Sequence, residues 1–137
     1  MRFILLLLWM ASSVAAEPEV LSIVNAERIE RGLAALTWDA NLETAASRHA
    51  LDLHRNGRFS HDGSNGSNVL DRVARTGYRA CFVAENIAKG QRSLPEVMNS
   101  WMQSPGHRRN ILSRMAKSVS LVRGRGDIWV MVLAAPC

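Results

Sequence analysis

Three short segments carry side chains able to bind a metal or move a proton near neutral pH: Phe59-Ser60-His61, Ala84-Glu85-Asn86-Ile87-Ala88, and Ser104-Pro105-Gly106-His107-Arg108-Arg109-Asn110-Ile111-Leu112. His61, Glu85 and His107 are therefore the candidate catalytic or metal-ligating residues. Each lies more than twenty residues from the next, so only tertiary structure can gather them.

Their surroundings sharpen the expectation. His107 falls in the first turn of a short predicted helix that Ser104 would cap, with Pro105 at the first helical position. The positive end of a helix disfavours imidazolium there, so a neutral ring is expected. Glu85 follows Phe82-Val83-Ala84 and precedes Ile87-Ala88. A carboxylate in such an apolar stretch must be paired, metal-bound or protonated, because burying an isolated charge is costly. Asn86 beside it suits a turn or a supporting hydrogen bond to a ligating group. His61 stands where a helix exits into a loop rich in Gly, Ser and Asn, a place where side chains often face a cleft. His49, on an apolar helical stripe, reads instead as a hydrogen-bonded core residue, and His54, beside Arg55 and Asn56, as exposed; neither is expected to be a ligand. Ser60 adjoins His61, but neighbouring residues rarely present a nucleophile and its base to each other. Asn65-Gly66-Ser67 reads as a turn.

The elements that must position these groups are helices first and strands last. Pro18 marks the start of a first helix with Val20, Leu21, Val24 and Ile29 at helical spacing, ended by Gly32. Asp39 caps a second, whose inward stripe is Leu42, Ala45, Ala46, His49, Ala50 and Leu53, stopped by Gly57. A third is expected from Asn68 to Thr76 with Val69, Leu70, Val73 and Ala74 inward. Cys81 to Ala84 reads as a short strand or an extended lead-in to Glu85, and Pro95 opens a helix through Val97, Met98, Trp101 and Met102. Ser118 to Val122 and Ile128 to Ala134 form two strands around the turn Arg123-Gly124-Arg125-Gly126-Asp127. This order predicts an α+β domain, a sheet covered by helices.

The N-terminus bears on compartment. Met1-Arg2 is a short basic start, Phe3 to Met10 an unbroken apolar run, and Ala11 to Ala16 a stretch of mostly small residues. That pattern predicts a signal peptide over residues 1–16, cleaved after Ala16, and one domain over residues 17–137. The apolar run falls short of the roughly 20 residues that span a bilayer, so no stable membrane insertion is expected after cleavage. Export would place the product in the periplasm or outside the cell. The chain has 137 residues and a formal charge of +5. Its basic residues are dispersed and its aromatics too few for stacking platforms, which argues against nucleic-acid binding. Two cysteines, Cys81 and Cys137, form an even pair in an exported domain, which favours one disulfide over two free thiols.

Together the segments resemble the CAP superfamily (cysteine-rich secretory proteins, antigen 5 and pathogenesis-related proteins), also called SCP domains, closest to small bacterial exported members. The resemblance rests on Ala45 to His49, Phe59 to His61, Ala84 to Ala88, Trp101 to Leu112 and Trp129 to Ala134. It implies a three-layer α-β-α sandwich with a mainly antiparallel sheet. It also implies a cleft in which many members place two His and two Glu that can bind a divalent cation such as Zn²⁺. The matching positions are His61, Glu85 and His107. A second Glu has no counterpart, so water or another side chain would complete the coordination. Ala84 replaces the usual Gly, and Met131 a common Gln. The functions implied are binding of an envelope component, ligand or partner without turnover, by a monomer. The alternatives are a metal-dependent hydrolase of peptide, ester or cell-wall substrates, and a purely structural disulfide-bonded module.

Overall fold

A computed structural model describes residues 16–137. The expected signal peptide lies, but for Ala16, outside the described residues. The elements are α1 (Ala16–Glu30), β1 (Thr37–Trp38), α2 (Ala40–Asn56), α3 (Val69–Ala74), β2 (Ala80–Lys89), α4 (Leu94–Met102), α5 (Pro105–Ile111), β3 (Ser118–Gly124) and β4 (Ile128–Pro136). The four strands form one sheet in the order β1-β3-β4-β2, antiparallel except for the β1–β3 pair.

The period of two along β4 divides the core. Trp129, Met131 and Leu133 face one layer, with Val20 and Val24 of α1, Val97, Met98 and Trp101 of α4, and Ile111 of α5. Ile128, Val130, Val132 and Ala134 face the other, with Leu42, Ala45, Ala46, Ala50 and Leu53 of α2 and Val73 of α3. A strand buried on both faces reads as a continuous apolar run, as Ile128 to Ala135 does. The result is the α-β-α sandwich with a mostly antiparallel sheet that the resemblance implied.

Local chemistry sets the helix ends. Asp39 Oδ1 accepts from the amides of Asn41 and Leu42 at 2.8 and 3.0 Å, and Gly57 closes α2 in the left-handed region at φ 59°. The alanines of α2 let it lie close on the sheet: a Cβ at Gly124 of β3 would stand 3.0 Å from the Ala50 Cβ. In α3, Asn68 and Asp71 form a reciprocal capping box.

Three expectations are corrected. α3 turns Arg72 and Val73 inward, while Leu70 is 47% exposed. Ile29 is exposed and Arg28 buried, because the stripe of α1 continues Val20, Val24, Arg28 at steps of four. The Arg28 guanidinium donates to the carbonyls of Ala34, Ile111 and Ser113 at 2.9, 2.9 and 2.8 Å, tying α1 to the C-terminal end of α5; burial lowers its pKa. The third concerns Ser104, which stands at the N-cap of α5 without a side-chain cap bond.

The strand expected near Cys81 extends over the whole of β2 and contains Glu85 itself. Cys81 and Cys137 are joined, Cα–Cα 4.7 Å, across a sequence separation of 56. Replacing both by Ser should lower stability by about 2–4 kcal/mol, measured by urea unfolding. Arg28→Ala should cost about 3 kcal/mol in the same assay by orphaning buried carbonyls.

Candidate functional site

β2 is an edge strand, paired only with β4, and its alternation aims adjacent residues at opposite layers. Glu85 shares a face with Val83 and Ile87, toward α2 and α3; Asn86 shares a face with Ala84 and Ala88, toward α4 and α5. Each anchors a separate polar cluster.

On the α2/α3 side the Glu85 side chain is 2% exposed. Its Oε2 accepts from Arg72 Nη2 at 2.8 Å, and its Oε1 lies 2.8 Å from His61 Nδ1 and 3.7 Å from His49 Nε2. The carboxylate is thus paired, as expected of a charge in this stretch. Arg72 also donates from Nη1 to the Ser67 carbonyl at 2.8 Å, holding the 61–68 loop against α3. His49 Nε2 meets the Ser60 carbonyl at 2.9 Å, so that nitrogen carries the proton. His49 is thus the hydrogen-bonded core residue expected, yet it also borders the Glu85 cluster. Burial lowers its pKa, opposed by Glu85. His61 behaves oppositely: its hydrogen bond to Glu85 raises its pKa against a smaller desolvation effect. The His61 side chain is 59% exposed, and its Nε2 has no hydrogen-bond partner among the described residues.

On the α5 side, Asn86 donates to the His107 carbonyl at 3.1 Å and accepts from Asn110 Nδ2 at 2.8 Å. His107 Nδ1 lies 2.9 Å from Ser104 Oγ, so that hydroxyl meets the imidazole and makes no cap bond. Trp101 stands beside the ring, centroids 6.4 Å apart. The His107 pKa is lowered by burial first and by the charge of His61 second. The neutral ring expected from the helix dipole therefore has other causes. Free carbonyls of the β2 edge are covered from the same layer: Ile87 by Trp101 Nε1 at 3.3 Å and Glu85 by Asn110 at 3.4 Å.

The structure thus brings His61 into contact with Glu85, while His107 is held through Asn86 from the other layer, within electrostatic reach of His61. Among the described residues no three His, Cys, Asp or Glu side chains form a group that could hold a metal ion. The donor chemistry agrees, because both Glu85 oxygens are engaged and a guanidinium occupies one of them. As arranged, the residues do not fit a divalent cation. Arg72 and Asn110 escaped the sequence reading. The signals for them were a buried carboxylate that needs a cation, with Arg72 three residues from Val69 on the inward side of a short helix, and an Asn one turn beyond His107.

A family model described as "CAP: Cysteine-rich secretory protein family" matches residues 21–132, and the chain belongs to this family. YkwD, an uncharacterized protein of Bacillus subtilis (strain 168), is 38% identical over 103 residues, covering 74% of this chain and 40% of that protein. The chain therefore spans well under half the length of that relative. Among solved structures, an extracellular SCP-domain protein from Bacillus anthracis str. Ames superposes with a TM-score of 0.81 at 24% identity, covering 86% of this chain and 39% of that one. An outer surface protein from Borrelia burgdorferi gives a TM-score of 0.78 at 21% identity, covering 88% of this chain and 92% of that one. These two likenesses establish the fold.

Glu85→Gln should bring the His61 pKa down from its raised value toward or below 6.5, read from the ring resonances by NMR. Because folding raises the His61 pKa, its contribution to stability is complete below the unfolded value and is lost as pH climbs through the folded one. The variant should lose that part of the pH dependence. His49 acts in the opposite sense, its neutral buried form favouring the fold above the unfolded value. Glu85→Ala should cost about 3–5 kcal/mol, by leaving the buried Arg72 charge unpaired.

Proposed function

We propose that this is an exported CAP-domain binding module, in which the cleft along the β2 edge holds a polar ligand or envelope component against His61, with His107 on the opposite rim. The observation that carries this reading is the occupation of Glu85. Both of its oxygens are committed to Arg72 and His61, so the carboxylate orients an imidazole and is not free to act as a base. What reaches solvent is the far edge of His61, a hydrogen-bond donor or acceptor according to its protonation. A rigidly held polar group at the rim of a cleft suits recognition.

The N-terminal leader pattern supports export. So do the descriptions of the two similar structures as an extracellular protein and an outer surface protein. No helix among the described residues is long and apolar enough to cross a membrane. The metal-dependent hydrolase alternative would need three donors on one cation, and the pairing of Glu85 works against it.

The test is titration of the secreted protein with soluble peptidoglycan fragments and short peptides, followed by amide chemical shifts. Saturable shifts should centre on His61, Glu85, Asn86 and His107, and His61→Ala should weaken binding about tenfold, the worth of one charge-assisted hydrogen bond. Binding that is indifferent to His61→Ala would refute the assignment.

A further inference from the structure

Behind the Glu85 cluster lies a cavity of about 250 Å³, walled by Ala45, Arg48, His49 and Asp52 of α2, Ser64, Asn65 and Ser67 of the loop, and Arg72 and Arg75 of α3. The spacing explains the convergence: the four α2 residues follow i, i+3, i+4, i+7 and the two α3 arginines i, i+3, so each set lies on one helical face. We propose that this cavity is an oxyanion-binding site, taking a phosphate or carboxylate group between Arg48 and Arg75. It is distinct from the His61 cleft and does not depend on the reading of that cleft.

Two observations converge on this ligand class. Three guanidinium groups and one carboxylate line the space, and only Arg72 has its charge matched there, by Glu85. Arg48 and Arg75 make no side-chain hydrogen bond or ion pair among the described residues, and a guanidinium's planar fork suits carboxylate and phosphate oxygens. Asp52 does not compete for them. Its Oδ1 accepts from Ser64 Oγ at 2.6 Å and Asn56 Nδ2 at 2.7 Å, and its Oδ2 from the Ser64 amide at 2.8 Å. The carboxylate is spent on holding the loop, and those bonds keep its pKa low.

Hydrogen phosphate, a phosphate monoester or a carboxylate offers acceptor oxygens to the two unmatched guanidinium groups. The volume is below that of drug-sized pockets and suits one small group, either a free ion or the charged end of a larger molecule.

Gly63 packs tightly against two of the lining residues. A Cβ on Gly63 would lie 2.5 Å from Ser67 Oγ and 3.0 Å from Asn65 Oδ1. Glycine there lets the turn fold tightly, with the Gly63 amide donating to the Ser67 carbonyl at 2.8 Å.

The experiment is NMR titration of the secreted protein with inorganic phosphate, glycerol phosphate and acetate at constant ionic strength. It follows the arginine Nε–H signals and the amides of Ser64 and Ser67. Saturable shifts are expected with phosphate, and Arg48→Gln/Arg75→Gln should weaken binding about tenfold or more, since it removes two charge-assisted partners. A control of equal charge loss, Arg92→Gln/Arg114→Gln, should bind as the native protein does. All four side chains are on exposed residues, so both variants should retain native thermal unfolding. Tighter binding of glycerol phosphate than of inorganic phosphate would identify the charged end of a larger molecule as the natural occupant, and the reverse order a free ion. Absence of saturable shifts with every probe, or equal weakening in both double variants, would overturn the proposal.

Discussion

A carboxylate buried on the edge strand is the constraint around which this protein is arranged. Removing Glu85 from water is costly unless its charge is met at once, and Arg72 and His61 meet it from two different segments. Arg72 can do so only if α3 packs with its Arg72–Val73 face inward. His61 can do so only if the loop after α2 folds back over the sheet. The same guanidinium then fastens that loop through the Ser67 carbonyl. One buried charge thereby organises α3, the loop and the end of β2. Desolvation offsets much of the attraction within a buried ion pair, so the clear consequence of this network is the geometry it fixes.

The pleat of β2 explains why the polar groups divide as they do. Neighbours on a strand point to opposite faces, so Glu85 enters the α2/α3 layer and Asn86 the α4/α5 layer. His61 and His107 consequently flank an edge and do not close around a common centre. That edge would otherwise expose unpaired carbonyls, and Trp101 and Asn110 cover two of them. Side chains beside the Asn86 cluster thus also protect the sheet from pairing with another chain.

Arg72 and His49 have a double position. Each touches the Glu85 cluster, and each is part of the wall of the arginine-lined cavity behind it. Two polar spaces therefore share one partition. A charge placed on one side of it acts on the other through a low-dielectric interior, where electrostatic effects are poorly screened. The family to which the chain belongs supplies the sandwich, and the side chains along this partition set the electrostatics on both sides of it.

Much of the architecture was legible in residue order, because it depends on local rules. Asp39 and Gly57 bound α2 through backbone chemistry that needs no distant partner. The inward stripe of α2 follows from its period, and the apolar run of β4 announces a strand covered on both sides. An even cysteine pair suggested its own joining. The apolar flanks of Glu85 likewise announced a carboxylate that must be paired, and His61 is one of the groups that meet it. Other features depended on which segments met. Arg28 lies on the α1 stripe, but the carbonyls that accept from it belong to the segment after α1 and to the far end of α5, which periodicity cannot supply. Leu70 and Arg72 exchange the places that hydrophobicity assigns them, because a buried carboxylate some distance along the chain outweighs the burial of one leucine. Whether three candidate ligands face one point or two was settled by the parity of Glu85 and Asn86 on an edge strand, a relation that exists only once the sheet has formed.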